Sequence, residues 1–306
     1  MDNVIEIVNA GKKIKNNLIL KNVNLKLEKG KIYGLVGQNG SGKSTLLKMI
    51  MGLYKCSGEI FINGYNIRKD YRGALKNIGG IVDSAAFYDF LSAKENLKYF
   101  ALLYGAKDTR ISEVMKLTGL NIDEKKQVKY YSLGMKERLG IAISLLKDPD
   151  ILVLDEPTNG LDPKGILELR NLLKSFKDKT IIISSHLISE IEKLSTDIIF
   201  INNKTTQVKS IDGFRKIRSF RLGKKVKISN ELVLSDEEVN VYVRKFVKEN
   251  IPVYAVNESS GLENMLISMM EAKWGIWLKL RFTRKLEREV LKLFCFFYLL
   301  FVWLLY

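Results

Sequence analysis

The sequence predicts an α/β fold, a mostly parallel sheet covered by helices, and three observations point to it. Between about residues 32 and 201, short apolar runs bounded by turn residues alternate with segments of helical period, the pattern of strands joined by helical crossovers. Three of those runs, at residues 31–36, 151–154 and 180–184, are apolar without alternation, as strands buried on both faces must be. The chain is 306 residues long with only four prolines and 46% hydrophobic residues. That is enough for one large core plus an appendage, and it argues against disorder.

Taken in order, residues 4–8 and 19–27 alternate apolar with polar and predict antiparallel strands ahead of the main sheet. A glycine-rich stretch follows the first buried strand and opens a helical pattern from Leu46. Residues 91–147 are mainly helical and lie between two strand regions, as an inserted helical subdomain would. Beyond about residue 203 the pattern weakens into short strands and helices, residues 235–250 being the clearest helix, with no motif of chemistry. No repeat of roughly 20 to 50 residues is visible, which excludes a solenoid. Three segments follow: residues 1–203 as the principal domain, 204–271 as a small α+β accessory domain, and 272–306 as a tail.

That tail is basic from 279 to 292, then runs fourteen residues, 293–306, without a charge. It falls short of the roughly 20 residues a membrane span requires. A helix lying in the cytoplasmic leaflet, with Lys279, Arg281, Arg284, Lys285 and Arg288 on anionic headgroups, fits the pattern. So do a docking helix for a membrane partner and a shifted reading frame, and the sequence leaves the three open.

Fifty Lys plus Arg against thirty-four Asp plus Glu give a net charge of +16, which favours anionic company: nucleotide phosphates, lipid headgroups or nucleic acid. Cys56 and Cys295 stand far apart without metal-ligand spacing, so free thiols in a reducing compartment are expected. The first residues lack the apolar core of a secretory signal.

The first motif with chemistry is Gly37-Gln38-Asn39-Gly40-Ser41-Gly42-Lys43-Ser44-Thr45, after an apolar strand and before a helix. Its glycines let backbone amides curl round phosphates, Lys43 reaches the β- and γ-oxygens, and Ser44 binds magnesium. The second is Asp155-Glu156 at the end of the apolar run 151–154, where open α/β sheets hold their ligands. Asp155 is expected to hold the metal and Glu156 to polarise the attacking water.

With Ser132-Leu133-Gly134-Met135 between these motifs and the lone His186 after them, residues 4–205 resemble the nucleotide-binding domain of ABC transporters. The resemblance implies a P-loop ATPase fold with an antiparallel β subdomain and an inserted helical subdomain. It implies ATP and Mg2+ as cofactors and a homodimer that sandwiches two nucleotides. Ser132 and Gly134 would cap the nucleotide of the opposite subunit, His186 would contact the γ-phosphate, and Asp162 in Asn159-Gly160-Leu161-Asp162 would communicate across the dimer. A separate membrane permease would dock on the domain, placing the chain peripherally on the cytoplasmic side of the membrane.

Two departures stand out. Where the family has a glutamine that senses magnesium and faces the permease, this chain has Asp83, whose acid can still take a metal-bound water. With Phe87-Tyr88 and Leu91-Ser92-Ala93-Lys94-Glu95-Asn96 after it, the segment resembles the subfamily that expels lantibiotics and bacitracin-like peptides. Ile14 stands where the family stacks an aromatic ring on adenine, so phosphate recognition is better supported than base recognition. The charge of +16 also suits an ABC-type ATPase acting on nucleic acid or the ribosome. Such relatives carry two such domains or a long coiled coil; this chain has neither, and no nucleic acid is expected.

Overall fold

The computed structural model describes residues 3–121, 125–211, 217–222 and 253–259. The chain divides into two units, Met1–Gly213 and Phe214–Tyr306. In the second unit the described residues form one antiparallel ladder, β11 (Ile217–Leu222) with β12 (Val253–Ser259). The helix expected at 235–250, Cys295 and the tail 272–306 lie outside the described residues.

The first unit is the expected α/β domain. Its main sheet has six strands in the order β10-β9-β3-β8-β7-β6: β3 (Ile32–Val36), β6 (Ile78–Ile81), β7 (Ile151–Leu154), β8 (Thr180–Ser184), β9 (Asp197–Asn202) and β10 (Thr205–Ser210). All neighbours are parallel except β9 and β10. Every residue of β3, β7 and β8 is buried, which is why those runs read as continuously apolar. The β9–β10 hairpin carries the sheet on to Ser210.

A second sheet, β2-β1-β4-β5, is antiparallel: β1 (Asn3–Ile14), β2 (Asn17–Glu28), β4 (Ser57–Ile62) and β5 (Tyr65–Asn66). Its apolar face (Ile5, Ile7, Leu20, Val23, Leu25, Leu27, Ile60, Ile62) shares one core with Leu46, Leu47, Met49 and Ile50 of α1 (Lys43–Ile50) and with Tyr33 and Leu35 of β3. The helix that follows the glycine-rich loop is thereby clamped between two sheets. The β1–β2 hairpin reaches further than its sequence signal because Lys12, Lys13 and Asn17 interrupt the alternation at its tip.

Three α-helices make the insertion between β6 and β7: α3 (Ala93–Tyr104), α4 (Asp108–Leu117) and, after a short 3-10 turn, α5 (Leu133–Leu145). α3 starts with a full capping box, Ser92 with Glu95. α5 buries Leu139, Gly140, Ile141, Ala142, Ile143 and Leu145 and lies under the sheet. α2 (Tyr71–Leu75), α6 (Pro163–Ser175) and α7 (Ile188–Leu194) complete the unit.

Candidate active site

Four strands deliver the predicted site residues to one edge. β6, β7, β8 and β3 are parallel neighbours, with Ile81 opposite Leu154, Leu154 opposite Ile183 and Leu35 opposite Ser184. The loops leaving them carry Asp83, the pair Asp155 and Glu156, His186, and Gly37. Segments far apart in the chain thus meet at the carboxyl edge of one sheet, where open α/β folds take their ligands.

The glycine-rich loop has Gly40 at φ 74° and Gly42 at φ 108°, left-handed values that glycine adopts freely. Ser41 N donates to Gln38 O at 3.0 Å across the turn that also holds Asn39. A Cβ on Gly37 would lie 2.6 Å from Ser41 Oγ, so the loop closes only on glycine. Lys43 Nζ donates to Gly37 O at 2.8 Å and to Gln38 O at 3.4 Å. The Ser41 hydroxyl is buried with no partner, and α1 begins at Lys43 without a side-chain cap. That leaves the amides of its first turn, Ser44 and Thr45 included, without intrahelical acceptors. Donors in search of acceptors at a helix N-terminus fit a phosphate chain.

Behind the loop, Ser184 ties the two carboxylates together. Its Oγ donates to Asp155 Oδ1 at 2.6 Å and accepts from Glu156 N at 2.8 Å. Glu156 sits at φ 51°, a conformation that costs a side-chain-bearing residue of order 1 kcal/mol or more. The Ser184 bond and the pairing with His186 hold it there: Glu156 Oε2 accepts from His186 N at 3.0 Å and lies 2.9 Å from His186 Nδ1. The adjacent Thr158 and Ser185 hydroxyls are buried and 3.1 Å apart. Among the described residues no three His, Cys, Asp or Glu side chains gather as a metal cage. Magnesium needs none, since it keeps waters and borrows substrate phosphate oxygens; Ser44 and Asp155 supply the hard oxygen donors such a site takes.

Asp83, at φ 67°, pairs with Lys48 of α1 at 2.5 Å. The acid loop is thereby connected to the helix that starts at Lys43. Downstream, buried Asn96 accepts from Tyr88 N at 2.7 Å and donates to Tyr88 O and Ser92 O, both at 3.0 Å. Around it Tyr88 meets Tyr99 edge to face, and Phe90 is 64% exposed.

The remaining predicted residues gather elsewhere. Ser132 caps α5, its Oγ accepting from Met135 N at 3.3 Å, and Asp162 caps α6, accepting from Gly165 N at 2.8 Å. These two helix starts pack on each other: a Cβ on Gly134 would lie 2.9 Å from Leu161 Cδ2, and one on Gly160 would collide with Leu133. Ser132, Gly134 and Asp162 line one open recess with Arg138, and no hydrogen bond links them to the phosphate loop. Ile14 ends the β1–β2 hairpin, 37% exposed. Sequence reasoning missed Ser184 and Lys48. Ser184-Ser185 ahead of His186 was a visible signal; Lys48 gave none.

The sequence profile described as ABC transporter matches residues 20–159. The chain is 45% identical over 214 residues to the lantibiotic transport ATP-binding protein SrtF of Streptococcus pyogenes, covering 69% of this chain and 92% of that one. It is also 45% identical over 199 residues to the bacitracin transport ATP-binding protein BcrA of Bacillus licheniformis, 63% of this chain and 65% of the relative. Among solved structures it resembles a dimeric ATP-binding cassette in a post-hydrolysis state bound to ADP and phosphate, with TM-score 0.62 and 26% identity over 68% of this chain and 98% of that chain. A phosphate loop at one sheet edge, an acid pair two strands along that edge and this degree of likeness have one reading: the chain belongs to the ATP-binding, ATP-hydrolysing proteins of ABC transporters.

Proposed function

We propose that the chain is the motor subunit of an exporter of antimicrobial peptides, conferring resistance of the lantibiotic or bacitracin type. Two copies pair so that each phosphate loop faces Ser132 and Gly134 of the partner subunit, with Asp162 at the seam. Residues 37–45 hold the triphosphate, and Ser44 and Asp155 hold magnesium, with Asp83 reaching it through water. The metal, when bound, neutralises charge on the phosphate oxygens. Glu156 accepts a proton from the attacking water and His186 keeps Glu156 aimed at it. Lys43 stabilises the charge that develops on the leaving phosphoryl group.

The observation that carries this reading is the Glu156–His186 pairing at 2.9 Å beside the phosphate loop. Support for the peptide cargo comes from the relatives' names, lantibiotic and bacitracin transport proteins. Family members act with separate membrane components, and the segment from Asp83 to Phe90 is the proposed docking face for a permease on the cytoplasmic side. Among the described residues no helix is long and apolar enough to cross a membrane. The expected boundary at 203 would cut β10 from the main sheet, so we assign residues 1–213 to the ATPase domain, the following residues to 271 to an accessory domain and 272–306 to a membrane-associated tail. The test is to isolate the chain from its native membrane in mild detergent, identify what co-purifies, and assay ATP hydrolysis on the same fraction. A multi-span permease is expected; ribosomes or nucleic acid without a permease would overturn the reading.

A further inference from the structure

Among the described residues, Lys48 with Asp83 is the one ion pair that joins α1, the helix of the phosphate loop, to the segment leaving β6. Its two ends differ in freedom. The Lys48 side chain is 18% exposed and that of Asp83 58%, so the acid, on a residue held at φ 67°, is the end that ions reach. The ammonium has a second contact: it stands 5.1 Å from the centre of the Tyr54 ring, inside the range of a cation–π attraction. Lys12 Nζ, fixed to Lys55 O at 2.7 Å, shares that ring at 4.8 Å. Like charge on one ring means that Tyr54 steadies Lys48 without holding it tightly.

Two cations therefore compete for one carboxylate. An ammonium 2.5 Å from Asp83 Oδ2 offsets the charge by which that acid would draw magnesium, and it repels a second cation placed nearby. We propose that Lys48 is a positioning residue for the ATPase site: it holds Asp83 until hydrated magnesium arrives with the triphosphate, then releases the acid and leans on Tyr54. Such a handover makes the acid loop answer to the metal rather than to the nucleotide alone. The inference rests on the reading above that Asp83 reaches magnesium through water, and the test separates the two.

The probe is the non-hydrolysable β,γ-imido analogue of ATP, titrated into the full chain by calorimetry with excess magnesium and again with EDTA. The ratio of the two affinities isolates the metal's contribution. Lys48→Met should raise that ratio about two- to five-fold, the worth of an exposed ion pair, and Lys48→Arg should keep it near the native value. Asp83→Asn, which tolerates the left-handed backbone, should lower it about two-fold or more. Adding Lys48→Met to Asp83→Asn should change nothing further, since Lys48 acts through Asp83. Thermal unfolding of each variant checks its fold. An unchanged or lowered ratio in Lys48→Met, a rise equally large in Lys48→Arg, or a rise that persists beside Asp83→Asn would overturn the inference. A native ratio in Asp83→Asn alone would remove Asp83 from the metal and overturn both.

Discussion

The sheet edge and the helical insertion treat a carboxylate in opposite ways. At the edge, Glu156 is held in a left-handed backbone conformation, its amide bonded to Ser184 and its carboxylate to His186. In the insertion, Glu137 lies in relaxed helix, half-sequestered from water and unpaired, with its pKa pushed up to about 7. One acid has strained geometry and satisfied bonds; the other has easy geometry and an unmet electrostatic need. The contrast separates two demands on a motor domain: atoms that must not move relative to substrate, and a joint that tolerates empty space.

If that contrast is right, the largest effect should come from the edge. Glu156→Gln keeps the shape and removes the base, so ATP hydrolysis should fall by about 10²-fold or more. Binding should persist and a nucleotide-bound dimer accumulate, read by steady-state phosphate release and by size-exclusion chromatography. An unchanged rate would remove Glu156 from the mechanism. Ser184→Ala comes next. It strips a partner from Asp155 and from the Glu156 amide together, and should cost about 1–3 kcal/mol of stability, measured by denaturant unfolding, with hydrolysis reduced as well.

On the other side of the comparison, Glu137→Gln should stabilise the protein. Because burial raises its folded-state pKa from the ordinary value to about 7, the native state holds a proton that the unfolded chain releases. Stability is therefore lost as pH climbs from about 4.5 to 7. The variant should gain on the order of 2 kcal/mol at pH 8, allowing for partial contact with water, and nothing at pH 4. A pH-independent difference would indicate packing rather than charge. The smallest effect belongs to Lys48→Met. Its partner Asp83 is 58% exposed, so thermal unfolding should register less than about 1 kcal/mol, while the magnesium concentration needed for half-maximal hydrolysis should shift.

What could be read from the sequence depended on how local the physics is. β3, β7 and β8 were legible because strands buried on both faces carry unbroken apolar stretches, interrupted in β8 only at its ends by Thr180 and Ser184, and the phosphate loop because its nine residues are consecutive. The outer half of the β1–β2 hairpin was obscured by Lys12 and Lys13 at its tip. Ser184 acts only through its neighbours on the next strand, so its bonds to Asp155 and Glu156 required the register of β7 against β8. Glu137 was invisible for a stronger reason: its desolvation comes from partial burial where α4, α5 and α6 meet, and no spacing along the chain encodes it.

Asn96 offers a last consequence. By gripping both the amide and the carbonyl of Tyr88 from the first turn of α3, it welds the aromatic segment to the helix rather than leaving it a slack tether. A force applied at Tyr88 is then passed to the start of α3 rather than taken up in a loop. Such a part transmits strokes in both directions, so a load borne outside the domain is felt inside it as directly as the fuel is felt outside.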